Sequence, residues 1–220
     1  KPNTSVSELK RMESLQQLEE EHLYNSEAKR YVKTEVPSFM LKEKKKRKLS
    51  ATEVGTAVHA VMQHIPQHGF ATIEETERFI QSLVDRQLLQ QLEADAVSAE
   101  KVYAFFGTEV GQRFKTAKEI LREVPFTMSL KDEDGDAQII QGVIDCIFED
   151  AEGKWVLLDY KTDYIEQMIL DDLEKIKRKM TKSYQIQLNY YQHAVQSIKR
   201  IEISERILYL YSIGLEVKID

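Results

Sequence analysis

The hydrophobic period of this chain changes near residue 120, and that one change restricts the fold more than any other feature. Upstream, apolar residues recur at helical spacing. Ser50 and Glu53 form a capping-box pair at the head of a run carrying Val54, Val58, Val61, Met62 and Ile65 before Pro66. Thr72 and Glu75 open the next helix, and shorter ones are expected at 98–106 and 108–117. Downstream the runs are short, apolar and broken by turns. They are I-L-R-E-V-P-F-T-M-S-L (120–130), G-V-I-D-C-I-F-E (142–149) and K-W-V-L-L-D-Y-K (154–161), punctuated by D-E-D-G-D (132–136) and D-A-E-G (150–153). A polar stretch, acidic and then basic (163–182), leads into a helix over 183–198, a strand over 205–213 and a short strand over 215–219.

Helices followed by strands, a helix and more strands predict an α/β (α+β) fold built on one mixed central sheet. A further helix is expected over residues 1–24, with Ser5 and Glu8 as its capping box and Val6, Leu9, Met12, Leu15 and Leu18 along its apolar face. From 25 to 49 the periodicity fades into the basic run K-E-K-K-K-R-K (42–48). The expected organisation is an N-terminal helix and basic linker (1–49) packing on a core that spans 50–220.

A chain of 220 residues can bury a substantial core. No apolar run reaches 18 residues and no signal-peptide pattern opens the sequence, so neither a membrane span nor secretion is expected. The start at Lys1, without a methionine, reads as a piece of something longer. Cys146 is the single cysteine, which excludes internal disulfides, four-cysteine zinc sites and a protein-ligated iron–sulfur cluster, and fits a reducing cytoplasm. A net charge of −6 argues against adhesion to nucleic acid by the whole surface; contact would need local basic patches.

Side chains of a strand alternate between faces, so Asp159 and Lys161 share one face while Val156, Leu158 and Tyr160 take the other. Asp145 lies on the neighbouring run. Carboxylates at the ends of apolar strands are costly unless paired or bound to a cation. Two of them with a lysine suit phosphodiester hydrolysis: Mg²⁺ prefers oxygen ligands and needs only one or two carboxylates, and a lysine can orient water or offset phosphate charge. Aspartates at strand ends also form turns, so these three residues alone leave a structural role open. His59 lies amid apolar positions of the helix at 50–65, where a lone histidine is usually a hydrogen-bonded core residue. Gly55, one turn earlier, costs about 1 kcal/mol relative to Ala in a helix, which points to a close backbone approach there. Gln187 and Tyr191 are four apart on one helical face.

In order, G-T-A-V-H (55–59), E-V-P-F (123–126), G-V-I-D (142–145), D-Y-K-T-D (159–163) and Q-L-N-Y-Y (187–191) resemble the motifs of the RecB-like branch of the PD-(D/E)XK nucleases. The matches cover about 51–213. They are most similar to the branch found as the C-terminal domain of AddA-type helicase–nuclease subunits, and S-V-S-E-L-K-R (5–11) resembles the entry to that domain. The resemblance implies a restriction-endonuclease-like sheet flanked by helices, with extra N-terminal helices. It implies that His59, Asp145, Asp159 and the Tyr160 carbonyl hold the metal and that Lys161 positions the nucleophile or the scissile phosphate. Gln187 and Tyr191 would align the strand or support the site, with Glu123 as a possible further contributor. Mg²⁺ is the implied cofactor; an imidazole ligand suits Mn²⁺, which should substitute. The implied parent would carry an upstream helicase motor, the only part needing ATP, since no G-x-x-x-x-G-K-[ST] loop occurs here. It would work on DNA with an AddB-type second subunit in the bacterial cytoplasm, as a Mg/Mn-dependent exonuclease resecting broken ends for recombinational repair.

Two basic segments are candidates for phosphate contact, each neutralised phosphate releasing counterions. Besides 42–48 there is E-K-I-K-R-K-M-T-K (174–182), whose Lys175, Lys177, Arg178, Lys179 and Lys182 precede the Gln187 helix. Solvated linkers are the plainer reading of both. A fold that keeps DNA binding or a scaffolding role without chemistry, and a free-standing RecB-like exonuclease without a motor, are the alternatives.

Overall fold

The computed structural model describes residues 4–5, 48–131, 137–163 and 172–219. The helices upstream of the period change form where their caps predict. Ser50 Oγ accepts from the Glu53 amide at 3.2 Å while the Glu53 carboxylate accepts from the Ser50 amide at 2.8 Å, and α1 (Ala51–His64) starts there. Thr72 caps α2 (Ile73–Asp85) through its Oγ1, which accepts from the Glu75 amide at 3.2 Å, while the Glu75 carboxylate accepts from the Ala71 amide at 2.7 Å. A single turn, α3 (Gln91–Ala94), then α4 (Ala99–Phe105) and α5 (Glu109–Lys115) complete this group. The strands are β1 (Thr4–Ser5), β2 (Glu119–Lys131), β3 (Ala137–Glu149), β4 (Trp155–Lys161), β5 (Ile203–Leu210) and β6 (Leu215–Ile219), with α6 (Leu173–Lys199) between β4 and β5.

The sheet runs β1-β3-β4-β5-β6, with β2 antiparallel on β3. β3–β4 and β5–β6 are antiparallel; β4–β5 is parallel, with α6 as its crossover. Alternation along β4 and β5 divides the core into two halves. Val156, Leu158, Tyr160, Ile207 and Tyr209 pack against the layer of α1 to α5, whereas Leu157, Leu208 and Leu210 pack against α6. Val58, Val61 and Met62 of α1 are fully buried in the first half, each contributing roughly 1.5–3 kcal/mol by apolar burial. The result is a helix–sheet–helix sandwich, the mixed α/β architecture that the sequence predicts.

Several boundaries differ from expectation. Thr4 and Ser5 form a short strand paired in parallel with Ile140 and Gln141 of β3; the rest of the expected 1–24 helix, with the Glu8 half of its capping box, and most of the basic linker lie outside the described residues. The expected polar stretch at 163–182 is helical from Leu173, because its lysines and glutamates are good helix formers and Ile176 and Met180 supply a buried face. The strand expected over 205–213 ends at Leu210, and residues 211–214 form the turn into β6 with Gly214 at φ 64°. Strand β3 begins at Ala137, earlier than Gly142.

Candidate metal centre

Strands β3 and β4 pair only from Cys146↔Leu158 to Glu149↔Trp155. The next ladder step would join Asp145 to Asp159, and there the strands part. Instead of backbone pairing, the Tyr160 amide donates to Asp145 Oδ2 at 2.8 Å. A carboxylate has thus replaced a carbonyl as acceptor, which ends the ladder and leaves Asp145 beside the opening. β4 continues alone against β5 up to Lys161↔Leu210, and the Tyr211 amide fixes the Lys161 carbonyl at 2.8 Å.

A second irregularity faces the first. Glu123 has φ 47° in the middle of β2, a left-handed backbone that a strand residue adopts only under constraint. The register is unbroken around it, Arg122↔Cys146 and Val124↔Ile144, so Glu123 stands opposite Asp145. On either side the ribbon exchanges faces. Cys146 and Phe148 pack under α1 to α5, but Ile140 and Ile144, also even-numbered, pack with the α6 half of the core. The β2–β3 ribbon therefore turns over at the acidic pair. Burial, with the Asp145 charge, holds the Glu123 carboxyl above the ordinary glutamate range.

Helix α1 closes the site from the other side. A Cβ built on Gly55 would lie 3.0 Å from Thr162 Oγ1, so glycine permits the helix to approach the end of β4 as closely as it does. One turn on, His59 Nδ1 lies 3.3 Å from Asp145 Oδ1. Burial lowers the imidazole pKa, but the hydrogen bond and charge of Asp145, with the charge of Asp159, outweigh it and leave the group above its ordinary value. From α6, Gln187 Nε2 donates to Tyr191 OH at 2.7 Å and reaches Asp159 Oδ1 at 3.5 Å. Tyr191 is buried edge-on to Phe126.

Asp159 is 1% exposed, and its Oδ2 lies 2.6 Å from Lys161 Nζ outside hydrogen-bond geometry, so that oxygen has an ion-pair partner and no hydrogen bond. Burial pushes the Asp159 carboxyl well above the usual aspartate range; Lys161 pulls it back, and the Asp145 charge raises it again. Two carboxylates thus repel one another, with the Lys161 ammonium beside Asp159 and the His59 imidazole beside Asp145. Among the described residues no three His, Cys, Asp or Glu side chains are already gathered as an ion would hold them. The physical reason is that Asp159 turns to Lys161, while Asp145 turns to His59 and the Tyr160 amide. The donors nevertheless fit a divalent cation: two acidic oxygens and one imidazole nitrogen suit Mg²⁺ and Mn²⁺, and Asp159 Oδ2, which accepts no hydrogen bond, is a ready ligand. A cation would compete with Lys161 for it.

The structure places His59 beside Asp145, Glu123 opposite Asp145, Lys161 beside Asp159, and Gln187 between Asp159 and Tyr191. Tyr160 contributes its amide to Asp145, while its ring is buried on the opposite face beside His59, Phe105 and Tyr209. The five cationic residues of 174–182 lie on the first turns of α6. Lys177, Arg178 and Lys182 share a groove with Lys218 of β6, on the flank of the helix away from Gln187. Lys175 pairs with Asp172 at 3.1 Å and Lys177 with Glu174 at 3.6 Å. Of the 42–48 run only Lys48 is described, and it is exposed. Cys146 is a buried apolar residue, its thiol pushed up to about 12 by burial. Tyr184 and Asp163 have no role in the sequence reading, yet Tyr184 OH donates to Asp163 Oδ1 at 2.5 Å and its ring lies 4.6 Å from Lys161 Nζ. The available signal is spacing: Tyr184, Gln187 and Tyr191 stand at i, i+3 and i+7.

Comparison with known proteins gives the same direction. Residues 20–213 match the model of the PD-(D/E)XK nuclease superfamily. The chain is 50% identical over 211 residues to the A subunit of the ATP-dependent helicase/nuclease of Lysinibacillus sphaericus, covering 94% of this chain. It is 39% identical over 221 residues to the protein of that name from Bacillus velezensis, and 35% over 226 residues to that from Clostridium novyi, covering 96% and 98% of this chain. It spans 17% of the length of each of these relatives. Among the described residues no helix is long and apolar enough to cross a membrane.

Proposed function

We propose, for a chain that belongs to the PD-(D/E)XK nuclease superfamily, that it is a metal-dependent deoxyribonuclease domain working within a helicase–nuclease. The observation that carries this reading is the parting of β3 and β4 at Asp145 and Asp159, with His59 against one carboxylate and Lys161 against the other. His59, Asp145, Asp159 and the Tyr160 carbonyl would hold Mg²⁺ or Mn²⁺. When bound, the cation supplies charge stabilisation at the phosphoryl oxygens and lowers the pKa of a water. Lys161, which pairs with Asp159 here, would orient the nucleophile or offset developing charge on the phosphate. Gln187 holds Asp159 from behind, and Tyr191 holds Gln187. Glu123 adds negative charge opposite Asp145 and keeps the site selective for cations.

On the same reading the substrate is a DNA strand delivered by a helicase part of the parent protein, which works with an AddB-type second subunit. The action is exonucleolytic processing of broken ends in the bacterial cytoplasm. Residues 50–220 would form the nuclease core and 1–49 an N-terminal element packed on it. Lys175, Lys177, Arg178, Lys179 and Lys182 would contact phosphates as the strand leaves, away from the carboxylates. The deciding experiment is cleavage of single-stranded and duplex DNA with Mg²⁺, Mn²⁺ or EDTA. Metal-dependent cutting that disappears in both Asp159→Ala and Asp145→Ala supports the reading; equal cutting by both variants refutes it.

A further inference from the structure

Lysine is a compact charge on a flexible stem, and something must aim it. In the structure Asp159 does so, at 2.6 Å. A cation held by Asp159 would take that partner away, and Lys161 is only 13% exposed, so the ammonium could not simply swing into water. Among the described residues, what lies beside it is the ring of Tyr184, whose centroid is 4.6 Å from Nζ, well inside the ~6 Å reach of a cation–π contact. The ring is itself fixed. Tyr184 is 4% exposed on the buried face of α6, and its hydroxyl donates to Asp163 Oδ1 at 2.5 Å. Asp163 is two residues beyond Lys161, and Ser212 Oγ donates to its carbonyl at 2.9 Å. Residues 161–163 are therefore tied to the β5–β6 turn through their backbone and to α6 through the side chain of Asp163. The same helix face presents Gln187 to Asp159.

We propose that Tyr184 is a positioning residue for Lys161: its ring seats the ammonium and its hydroxyl anchors the segment after β4, so that Lys161 stays aimed at the phosphodiester once the cation engages Asp159. This rests on the nuclease reading above and goes beyond its motifs, which end at Gln187 and Tyr191. Tyr184 touches neither substrate nor cation; it acts through Lys161.

The test uses the intact protein with Mg²⁺ and single-turnover cleavage of a DNA strand. Tyr184→Leu, which removes the ring, is expected to lose about tenfold or more in the rate of cutting, since misplacement by about 1 Å can cost roughly 100-fold, with KM for DNA little changed. Tyr184→Phe keeps the ring but gives up the hydroxyl anchor to Asp163, so its rate should fall between those of the parent and Tyr184→Leu. Phenylalanines bearing one, two and three fluorines at position 184 are nearly isosteric, and the rate should fall stepwise as fluorine withdraws charge from the ring face while the melting temperature stays flat. A flat rate across the fluorinated series overturns the proposal even if Tyr184→Leu is slow or fails to fold, because a purely packing role is indifferent to ring charge. Wild-type rates in Tyr184→Leu overturn it as well. If the unsubstituted protein cuts nothing, the nuclease reading fails and takes this inference with it.

Discussion

Asp145 holds two structural ties and one chemical role, and two substitutions separate them. Its Oδ2 accepts from the Tyr160 amide at 2.8 Å and its Oδ1 faces His59 Nδ1 at 3.3 Å. Asp145→Asn keeps an oxygen for the amide and removes the charge. Asp145→Ala strands the Tyr160 amide where β3 and β4 part, at a cost of about 1–3 kcal/mol for an unsatisfied buried group. Both variants also relieve the repulsion with Asp159, which favours the metal-free fold. Asp145→Asn should therefore melt at or slightly above the parent without metal, and Asp145→Ala roughly 2–12 °C below Asp145→Asn, taking about 2–4 °C per kcal/mol for a protein of this size. Metal reverses the order. A cation at 100 times its Kd stabilises the parent by about 2.7 kcal/mol, or roughly 5–10 °C, and should do little for either variant. Thermal unfolding with a Mn²⁺ titration reads all of this. Equal metal-induced shifts in the parent and Asp145→Asn would remove Asp145 from the site, and an Asp145→Ala that melts with Asp145→Asn would show that the amide tie carries no weight.

Gly55→Val places a branched side chain where a single Cβ already meets Thr162 Oγ1 at 3.0 Å, so α1 must retreat from the end of β4 and carry His59 with it. DNA cleavage should fall at least tenfold; an unchanged rate would mean that this approach does not set His59. Arg113 bridges Asp150, just past the end of β3, and Glu205, near the start of β5, both at 2.9 Å. Burial raises both carboxyls, but hydrogen bonds from the Lys154 amide and Arg113 to Asp150, and from Arg113 and Lys218 to Glu205, hold them below their ordinary values. Depressed carboxyls contribute stability above their unfolded pKa that is lost as pH falls through the folded value. Urea unfolding should therefore show Arg113→Met weaker than the parent by about 2 kcal/mol near pH 7, a charged hydrogen bond being worth about 1.5–3 kcal/mol. That gap should close below about pH 4, and a gap that stays constant with pH would contradict the ion-pair account.

What the sequence conveys depends on whether the governing interaction is local. Ser50–Glu53 and Thr72–Glu75 are contacts across three residues, and both helices start where those pairs predict. The faces of Asp159, Lys161 and Tyr160 follow from alternation alone, and the G-x-x-x-H spacing conveys both the close approach at Gly55 and the histidine one turn later. The amide tie from Tyr160 to Asp145 and the left-handed backbone of Glu123 are not legible, because each arises from two strands diverging at a point that neither strand encodes alone. The early start of α6 escapes the sequence reading because its polar first turns show only Ile176 and Met180 as a buried stripe. Tyr184 reads as packing because its partners, Lys161 and Asp163, come from β4 and the segment that follows it. That Lys177, Arg178 and Lys182 of α6 share a groove with Lys218 is not legible either, because it joins one helix to a strand that follows it in the chain.

One divalent ion is expected to join His59, Asp145 and Asp159. Crystals grown with Mn²⁺ and recorded at the manganese absorption edge locate such an ion directly. The expected result is an anomalous peak about 2.0–2.4 Å from a carboxylate oxygen of Asp145 and of Asp159 and from a ring nitrogen of His59, with Lys161 Nζ displaced from Asp159 toward the Tyr184 ring. A fully loaded crystal with no peak between those side chains, or with Asp159 still bound to Lys161, would contradict it.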